Sequence, residues 1–355
     1  MKIPKLQIGT ITSEIPIIQG AMGVRVSLSS LASAVANGGG IGTIASVGLG
    51  DIEASKHEYE RISREAFVFE IGRAKSLTNG PIAVNIMGVL SNADDLVKTA
   101  ISEGIKIIVS GASLPLKLPG LVEDESVNLL PIVSSGRAAE LVLRAWDKRY
   151  GRTADGIILE GPLAGGHLGF SLGQLQEMEK YSLQNLLPEV LEAIKGYEDK
   201  YGKKIPVIPG GGIFDGKDIA RMLQAGASGV QMATRFVCTV ECDVSQEFKQ
   251  AYLDAKEEDI VIIKSPVGLP GRAIRNKFLK DLEGKEKHGI QCFYRCLSTC
   301  NIQEAKYCIA QALVNAYLGD IDHGLIFCGQ NAHRIHKIVT VKELISELLA
   351  EIEAY

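Results

Sequence analysis

The sequence predicts a (β/α)8 TIM barrel that carries a C-terminal helical, cysteine-containing extension. Between residues 16 and 235, short β-rich apolar runs alternate with amphipathic stretches, which is the pattern of parallel strands joined by helical crossovers. Eight such runs can be counted, and eight is the strand number of this barrel. The runs are almost continuously apolar, as expected of strands that are covered on both faces.

The strands are predicted at residues 16–19, 40–45, 82–86, 106–110, 129–134, 156–160, 206–209 and 229–232. Helices are predicted at residues 28–37, 52–77 and 215–224. The fourth crossover, residues 113–127, is short and interrupted by proline, so an open doubly wound sheet is the alternative architecture. We expect residues 1–240 to form the barrel, and residues 241–355 to form a lid and a helical extension packed on it.

Composition and charge limit the classes of function. Of the 355 residues, 46% are hydrophobic and 23% are charged, which is typical of a globular protein, and the apolar runs are too short for a membrane span. A net charge of −4 disfavours nucleic acid as a partner. The N-terminus shows no signal peptide. We therefore expect a cytoplasmic protein that acts on a small molecule without a membrane partner, and the sequence leaves a homo-oligomer open.

A single imidazole directly follows the sixth predicted strand. In this barrel the active site lies at the carboxyl ends of the strands, and Gly165, Gly166 and His167 come just after such an end. The two glycines would let the backbone lie close to a flat or charged ligand. We interpret His167 as a catalytic residue that faces a pocket; the alternative is a histidine packed in a loop.

The seventh predicted strand is followed by three glycines, residues 210–212, just before a helix that begins near Asp215. Backbone N–H groups at such a turn can converge on an anion, and Thr234 after the eighth strand adds a hydroxyl. Barrels of this class commonly bind phosphate at these two strands. The pattern predicts a phosphate-bearing ligand, and the alternative is a tight turn.

Two further segments allow two interpretations each. Asn85 ends the third strand, where a buried amide needs a partner that a ligand could supply, although a capping or turn role is the alternative. Residues 40–45 match the dinucleotide fingerprint GxGxxA, but they lie on a strand that follows a helix. We therefore do not interpret this match as a nucleotide site.

Five motifs in strand order carry a family resemblance. They are Ile15-Pro-Ile-Ile-Gln-Gly-Ala-Met-Gly23, Val84-Asn-Ile-Met87, Ala164-Gly-Gly-His167, Ile208-Pro-Gly-Gly-Gly-Ile213 and Gln231-Met-Ala-Thr-Arg-Phe236. Together they resemble the FMN-dependent nitronate monooxygenases, formerly called 2-nitropropane dioxygenases. The related FMN-dependent enoyl-acyl-carrier-protein reductase shares these motifs, so the resemblance specifies flavin and fold better than substrate.

The resemblance implies FMN as the cofactor and His167 as the catalytic histidine. It implies that the isoalloxazine is held by the backbone around Ala21, Met22 and Gly23 and by the Asn85 side chain. It implies that Gly165 and Gly166 lie near the flavin. It further implies a phosphate site formed by Gly211, Gly212, Ala233 and Thr234. Ala233 stands where the family pattern has glycine, which weakens that one contact.

The function implied first is that of a nitronate monooxygenase that oxidises nitronates or nitroalkanes with His167 as general base. The first alternative is an NAD(P)H-dependent enoyl-thioester reductase, in which His167 would polarise a thioester carbonyl. The second alternative is a non-redox barrel that binds a phosphate ligand. NAD(P)H is thus left open as a reductant.

The C-terminal third raises two separate questions. If residues 292–300 were helical, Cys292, Cys296 and Cys300 would share one face, and Cys308 could complete the ligands of an iron–sulfur cluster. The spacing matches neither ferredoxin pattern nor a zinc ribbon, so the cluster is not favoured and no metal site is predicted. Residues 265–276 could cover the pocket, and Arg272 and Arg275 could there meet an anionic ligand or remain solvated.

Overall fold

A computed structural model of the chain describes residues 1–51, 54–283, 290, 292 and 295–355. The strands are β1 (Leu6–Ile8), β2 (Ile11–Ser13), β3 (Ile17–Gln19), β4 (Gly42–Ala45), β5 (Ile82–Met87), β6 (Ile107–Gly111), β7 (Asn128–Val133), β8 (Ile157–Glu160), β9 (Gly166–His167), β10 (Val207–Gly210), β11 (Val230–Met232), β12 (Ile260–Lys264) and β13 (Pro270–Ile274).

The helices are α1 (Ser29–Asn37), α2 (Lys56–Leu77), α3 (Ala93–Ser102), α4 (Gly136–Tyr150), α5 (Leu172–Gln176), α6 (Leu183–Tyr201), α7 (Gly216–Gln224), α8 (Thr234–Val237), α9 (Gln246–Asp254), α10 (Lys277–Leu282), α11 (Ile309–Leu318) and α12 (Val341–Ala354). Short 3-10 turns occur at Leu118–Leu121, Glu257–Asp259 and Gln330–Arg334. The predicted start of the second helix at residues 52 and 53 lies outside the described residues.

Eight parallel strands form the barrel, in the order β3, β11, β10, β8, β7, β6, β5 and β4. The two ends of this order meet where Ile18 pairs with Ile41, and the Gln19 amide donates to the Ile41 carbonyl at 2.9 Å. The predicted barrel is confirmed, and the open-sheet alternative is wrong because the first and last strands are hydrogen-bonded to each other.

Two layers of apolar residues hold the barrel together. Alternating strand residues such as Ile18, Val109 and Ile208 form a buried cluster of their own, on which Leu6 and Ile8 of the β1–β2 hairpin pack. A larger cluster lies between the strands and the surrounding helices. Nearly every strand residue is therefore buried, which explains why the strands read as continuous apolar runs.

The fourth crossover contains a single 3-10 turn, Leu118–Leu121, instead of an α-helix. Pro115 and Pro119 limit the backbone hydrogen bonds that a helix there would need. The buried Trp146 of α4 lies against this crossover, and its indole N–H donates to the Pro115 carbonyl at 2.9 Å. The proline interruption noted in the sequence is thus a real departure from a regular barrel.

The C-terminal third packs on the barrel in two places. Helix α12 packs on α1 and α7, and Glu351 accepts a hydrogen bond from the Gly216 amide at 2.6 Å. Strands β12 and β13 form an antiparallel hairpin that extends to β9, outside the barrel. The division at residue 240 stays a prediction.

Among the described residues, no helix has both the length and the apolar composition needed to cross a bilayer.

The segment that carries the clustered cysteines is not helical where the structure describes it. Leu297 forms an isolated antiparallel bridge with Leu90, and residues 298 and 299 form a turn. Cys308 lies at the N-cap of α11, and Gly319 follows the last residue of this helix. The predicted helical stacking of three thiols is therefore wrong for residues 295–300, because this stretch pairs with the chain after β5; residues 291, 293 and 294 lie outside the described residues.

Candidate active site

A cavity of about 760 Å³ lies at the carboxyl ends of the barrel strands. Its walls combine strand ends with several stretches of the C-terminal third, among them residues 268–270, 296–297, 309–310 and 327–329. Every residue that the sequence singled out as catalytic or cofactor-binding lines this one cavity. These residues are Ala21, Met22, Gly23, Asn85, Gly165, Gly166, His167, Gly211, Gly212, Ala233 and Thr234.

The turn after β10 has a backbone that favours glycine. Gly211 has a φ of +100°, in the left-handed region, and a Cβ there would lie 2.9 Å from the Ala164 nitrogen and the Gly161 oxygen. The Gly212 carbonyl accepts a hydrogen bond from the Asn331 side chain at 2.7 Å. Thr234 begins the short helix α8 on the same wall. Backbone and a hydroxyl therefore meet here in an arrangement that could hold a phosphate group.

The loop before the histidine is fixed by close packing. A Cβ on Gly165 would lie 2.5 Å from the carbonyl carbon of Cys328 and 2.6 Å from the Gly329 nitrogen. Two backbone segments that are far apart in sequence thus touch at this glycine. This contact explains why a residue without a side chain precedes His167.

His167 lies on β9, where it pairs with Gly271 of β13. Its Nε2 is 2.7 Å from the Ser265 hydroxyl oxygen, and its ring meets Phe327 edge-on with centroids 5.0 Å apart. Burial lowers the pKa of His167 to about 4. The imidazole is therefore neutral at physiological pH and has a free lone pair, and the same burial makes it a weaker base than an exposed imidazole.

Glu160 ends β8 and also lines the cavity. Burial raises the pKa of Glu160 to about 7, although a hydrogen bond from the Gly169 amide at 2.8 Å and the charge of Arg272 act in the opposite direction. Glu160 is therefore a further titratable residue in the cavity that contains His167. The sequence showed it only as the end of a strand.

The interpretation of Arg272 as a solvated residue is wrong, and its contact with an anionic ligand stays a prediction. Its side chain is buried and not solvated, and it is absent from the described cavity lining. The guanidinium donates to the Ala164 carbonyl and to the Met178 sulfur at 3.6 Å, so it braces the loop that leads to His167. Arg275 forms an exposed ion pair with Glu283 at 2.8 Å.

Among the described residues that line the cavity, none is lysine or arginine. A phosphate bound at Gly211 and Gly212 would be held by backbone amides and by Thr234 rather than by a cation. Within the described part of the chain, no three His, Cys, Asp or Glu side chains are arranged so that they could hold a metal ion.

Sequence reasoning missed the residues that complete the histidine end of the cavity. Ser265, Phe327 and Cys328 are 98 to 161 positions away from His167, and no motif joins them to it. Their one available signal was the Pro- and Gly-rich stretch at 265–276, predicted to cover the pocket; Gly268, Leu269 and Pro270 do line it.

The barrel with this cavity defines a class of enzyme, and comparison with known proteins gives the family. The family model described as nitronate monooxygenase matches residues 5–351. The chain belongs to the nitronate monooxygenase family. Its barrel is similar to that of solved structures across nearly the whole chain.

The most similar relatives differ in their named activities. The chain is 31% identical over 270 residues to (3aS,4S,5R,7aS)-5-hydroxy-7a-methyl-1-oxo-octahydro-1H-indene-4-carboxyl-CoA dehydrogenase of Mycobacterium tuberculosis, across 76% of this chain and 66% of that protein, just under two thirds of its length. A probable nitronate monooxygenase of Staphylococcus aureus is 32% identical across 37% of this chain and 35% of that protein. The structure of FabK from Thermotoga maritima is similar with a TM-score of 0.74 and 29% identity, covering 96% of this chain and 94% of FabK.

Proposed function

We propose that this protein is an FMN-dependent nitronate monooxygenase that accepts neutral nitroalkanes, with His167 as the base that removes the proton next to the nitro group. The observation that carries the proposal is the neutral imidazole of His167 in the same cavity as the glycine turn after β10. A base and an anion-binding turn in one cavity suit a reaction that joins proton removal to a phosphate-bearing cofactor.

The residues fit FMN in kind and in position. We assign the ring contacts to the backbone of Ala21, Met22 and Gly23 and to the Asn85 amide. We place Gly165 and Gly166 near the rings, where Gly166 has space on its side-chain face and Gly165 packs against the backbone at Cys328. We assign the phosphate to Gly211, Gly212, Ala233 and Thr234. Bound there, FMN would supply the two-electron redox chemistry. The cavity volume of about 760 Å³ leaves space for a small substrate as well.

Ser265 is the residue that orients the base. Its hydroxyl lies 2.7 Å from Nε2 of His167, which fixes the plane of the ring. We assign the proton on Nε2 to the bond with Ser265, so that Nδ1 keeps the lone pair that accepts the substrate proton. The role of Ser265 is therefore to position His167 and to select its tautomer.

The charge of the cavity favours a neutral substrate. The described lining has no lysine or arginine that would attract an anionic nitronate, and Glu160 adds negative charge once it ionises. A neutral nitroalkane enters without losing the hydration of a full charge, and it needs the base that His167 provides. We therefore expect nitroalkanes to be better substrates than their nitronates.

A second candidate is an NAD(P)H-dependent enoyl-thioester reductase. It is favoured by the similarity to FabK, which extends over 96% of this chain, and by the relative named as a CoA dehydrogenase. In this reaction a ring N–H of His167 would donate a hydrogen bond to the thioester carbonyl. A cytoplasmic location and a homo-oligomer stay predictions under both candidates.

The deciding experiment uses purified full-length protein loaded with FMN in the absence of oxygen. Nitroethane, its nitronate, NADH and NADPH are each mixed with it, and the flavin absorbance at about 450 nm is followed. Bleaching by nitroethane and not by the nicotinamides supports the proposal. Rapid bleaching by NADH or NADPH alone would replace it with the reductase. If the purified protein binds no FMN, the alternative of a non-redox barrel that binds a phosphate ligand would be favoured.

A further inference from the structure

A segment of the C-terminal third, residues 329–334, lies against the glycine turn after β10. Gly329 is the N-cap of the 3-10 turn Gln330–Arg334, and we call residues 329–334 the supporting segment. The Gln330 amide donates to the Leu163 carbonyl at 3.1 Å, and Leu163 itself lines the cavity. The supporting segment is therefore attached to the cavity wall, although the proposed reaction assigns no role to it.

Asn331 of the supporting segment holds one peptide group of the glycine turn. Its side-chain amide donates to the Gly212 carbonyl at 2.7 Å, across 119 positions of sequence. The trans peptide that follows places the N–H of Ile213 on the side opposite to this carbonyl. Ile213 lines the cavity, and its N–H has no hydrogen-bond partner within the described part of the chain. Asn331 thus fixes the direction of an amide that is available to a ligand.

The supporting segment also approaches the Thr234 hydroxyl. A Cβ on Gly329 would lie 2.5 Å from Oγ1 of Thr234 and 3.6 Å from the Leu163 carbonyl oxygen. The φ of Gly329 is −79°, which any residue can adopt, so the close approach rather than the backbone conformation favours glycine here. A side chain at this position would displace the hydroxyl that we assign to the phosphate.

The chain that leaves the glycine turn is held by a stack of three side chains. The buried Phe214 ring lies between two guanidinium carbons, that of Arg235 at 4.7 Å and that of Arg334 at 4.1 Å from its centroid. Arg235 also pairs with Glu347 at 2.8 Å. Arg334 pairs with Asp215 at 3.0 Å. Because each cation has a carboxylate of its own, the stack holds the chain in place and offers no unpaired charge to an anion.

We infer that the supporting segment makes the cavity selective for a phosphorylated flavin, with Asn331 as the residue that positions the turn. The inference rests on the proposed function, which assigns the FMN phosphate to this turn. Amides that are already held in one direction bind an anion without the cost of ordering them first. Asn331 is absent from the described cavity lining, so it acts through the Gly212 peptide and not by touching the cofactor.

Riboflavin is the ligand that separates this role from general support of the fold. It has the rings and the ribityl chain of FMN but lacks the phosphate. Its affinity should not depend on the direction of the amides at the turn. A residue that only stabilises the fold would affect both flavins equally, whereas a residue that positions the phosphate site affects FMN alone.

The test measures the dissociation constants of FMN and riboflavin for the purified full-length apoprotein by flavin fluorescence. The wild-type chain should bind FMN about 10- to 100-fold more tightly than riboflavin, because hydrogen bonds to a charged group are strong. Asn331→Leu keeps the size of the side chain and removes the donor. It should lower FMN affinity about tenfold and leave riboflavin affinity unchanged. Arg334→Met should lower FMN affinity about two- to fivefold.

Each variant has a matched control elsewhere in the chain. Asn276→Leu also removes a side-chain amide that donates to backbone carbonyls, those of Ile321 at 2.8 Å and Gly324 at 2.7 Å. Arg61→Met removes the cation of an exposed ion pair with Glu65 on α2. Both controls should keep the wild-type ratio of FMN affinity to riboflavin affinity.

The possible outcomes separate this inference from the proposed function. Equal loss of affinity for both flavins in Asn331→Leu would mean that the supporting segment only stabilises the fold, and would overturn the inference. Unchanged affinity for both flavins would overturn it too, while FMN binding by the wild-type chain would leave the proposed function standing. A wild-type chain that binds neither flavin would refute the proposed function and this inference with it.

Hydrogen exchange of the wild-type chain covers the case in which Asn331→Leu folds poorly. At saturating concentrations, both flavins should slow amide exchange equally at residues 21–23, which we assign to the rings. FMN should slow exchange at residues 211–213 and 329–334 more than riboflavin does, because only FMN has the phosphate that binds the turn. Equal protection of residues 329–334 by the two flavins would contradict the inference.

Discussion

The two ends of the cavity are built in different ways. At the phosphate end, the turn after β10 and the start of α8 offer backbone and one hydroxyl, all from consecutive barrel strands. At the histidine end, the working groups are side chains, and they come from β8, β9 and residues 265 and 327 of the C-terminal third.

This difference suggests that cofactor binding and proton transfer are assigned to opposite ends of the cavity. The backbone cradle at this turn is formed by barrel strands and supported by the Asn331 side chain, and we assign the cofactor phosphate to it. The histidine end depends on contacts between distant segments, so it can change without loss of the cradle. We therefore expect substitutions at one end to leave the function of the other largely intact.

The largest effect is expected from His167→Ala. Loss of the base should slow flavin reduction by a neutral nitroalkane about 10²- to 10⁴-fold, the usual contribution of a positioned general base. FMN content should remain at the wild-type level, because the cradle lies at the other end. Stopped-flow absorbance without oxygen measures the rate. The nitronate is the control substrate, since it has already lost the proton; an equal loss on both substrates would contradict the role of base.

The next largest effect is expected from Gly211→Ala. The new Cβ would lie 2.9 Å from the Ala164 nitrogen and the Gly161 oxygen at a φ of +100°. We expect FMN affinity to fall by about 10- to 100-fold, because strain and displacement of the turn cost about 1–3 kcal/mol. Fluorescence titration of the flavin gives the dissociation constant. With saturating FMN, the rate of reduction should return to near the wild-type value.

Gly202→Ala is the matched control for this substitution. Gly202 ends α6 with a φ of +63°, but nothing lies within 4 Å of the position that its Cβ would occupy. It should lower the free energy of unfolding by about 1 kcal/mol and leave FMN affinity unchanged. Equal loss of FMN affinity in both variants would mean that the turn has no special relation to the cofactor.

Ser265→Ala tests the orientation of the base. Removal of the hydroxyl that lies 2.7 Å from Nε2 should lower kcat about tenfold, equivalent to about 1.4 kcal/mol, with little change in KM. The nitrogen NMR signals of His167 should also show a mixture of tautomers. Ser113→Ala, which alters another hydroxyl residue of the cavity lining, is the control. A rise in KM alone would indicate a role in substrate binding instead.

The smallest effect is expected from the ionisation of Glu160. Because burial raises the pKa of Glu160 to about 7, the carboxyl is neutral below that pH and negative above it. Proton removal builds negative charge on the substrate, so the rate should fall about two- to tenfold as the pH rises through 7. Glu160→Gln should remove this step from the pH profile. A step that persists in the variant would belong to another group.

Much of the fold could be predicted because the barrel repeats one unit. Each strand is buried on both faces, so its apolar run is visible in the sequence. The helix predicted to begin near Asp215 is α7, and Asp215 is its N-cap. The site residues of the barrel follow from the rule that strand ends meet at one rim. The sequence therefore predicts that Asn85, Gly211 and His167 lie at the same end of the barrel.

The remainder could not be predicted because it depends on packing between distant segments. No periodicity signals that Ser265 meets His167, or that Gly165 touches the backbone at Cys328. The burial of Arg272 was also hidden, since a charged residue in a Pro- and Gly-rich loop usually remains in water. Residues 295–300 pair with the chain after β5, which overrides the helical spacing of their cysteines.

The small sheet formed by β9, β13 and β12 joins His167 to the hairpin whose residues 268–270 line the cavity. His167 pairs with Gly271, and the Leu168 amide donates to the Pro270 carbonyl at 2.9 Å. A hinge motion of the β12–β13 hairpin would therefore move the His167 imidazole as well, and would change its position relative to the rest of the cavity. A substitution meant to widen the cavity should therefore be sought on the rim away from these three strands.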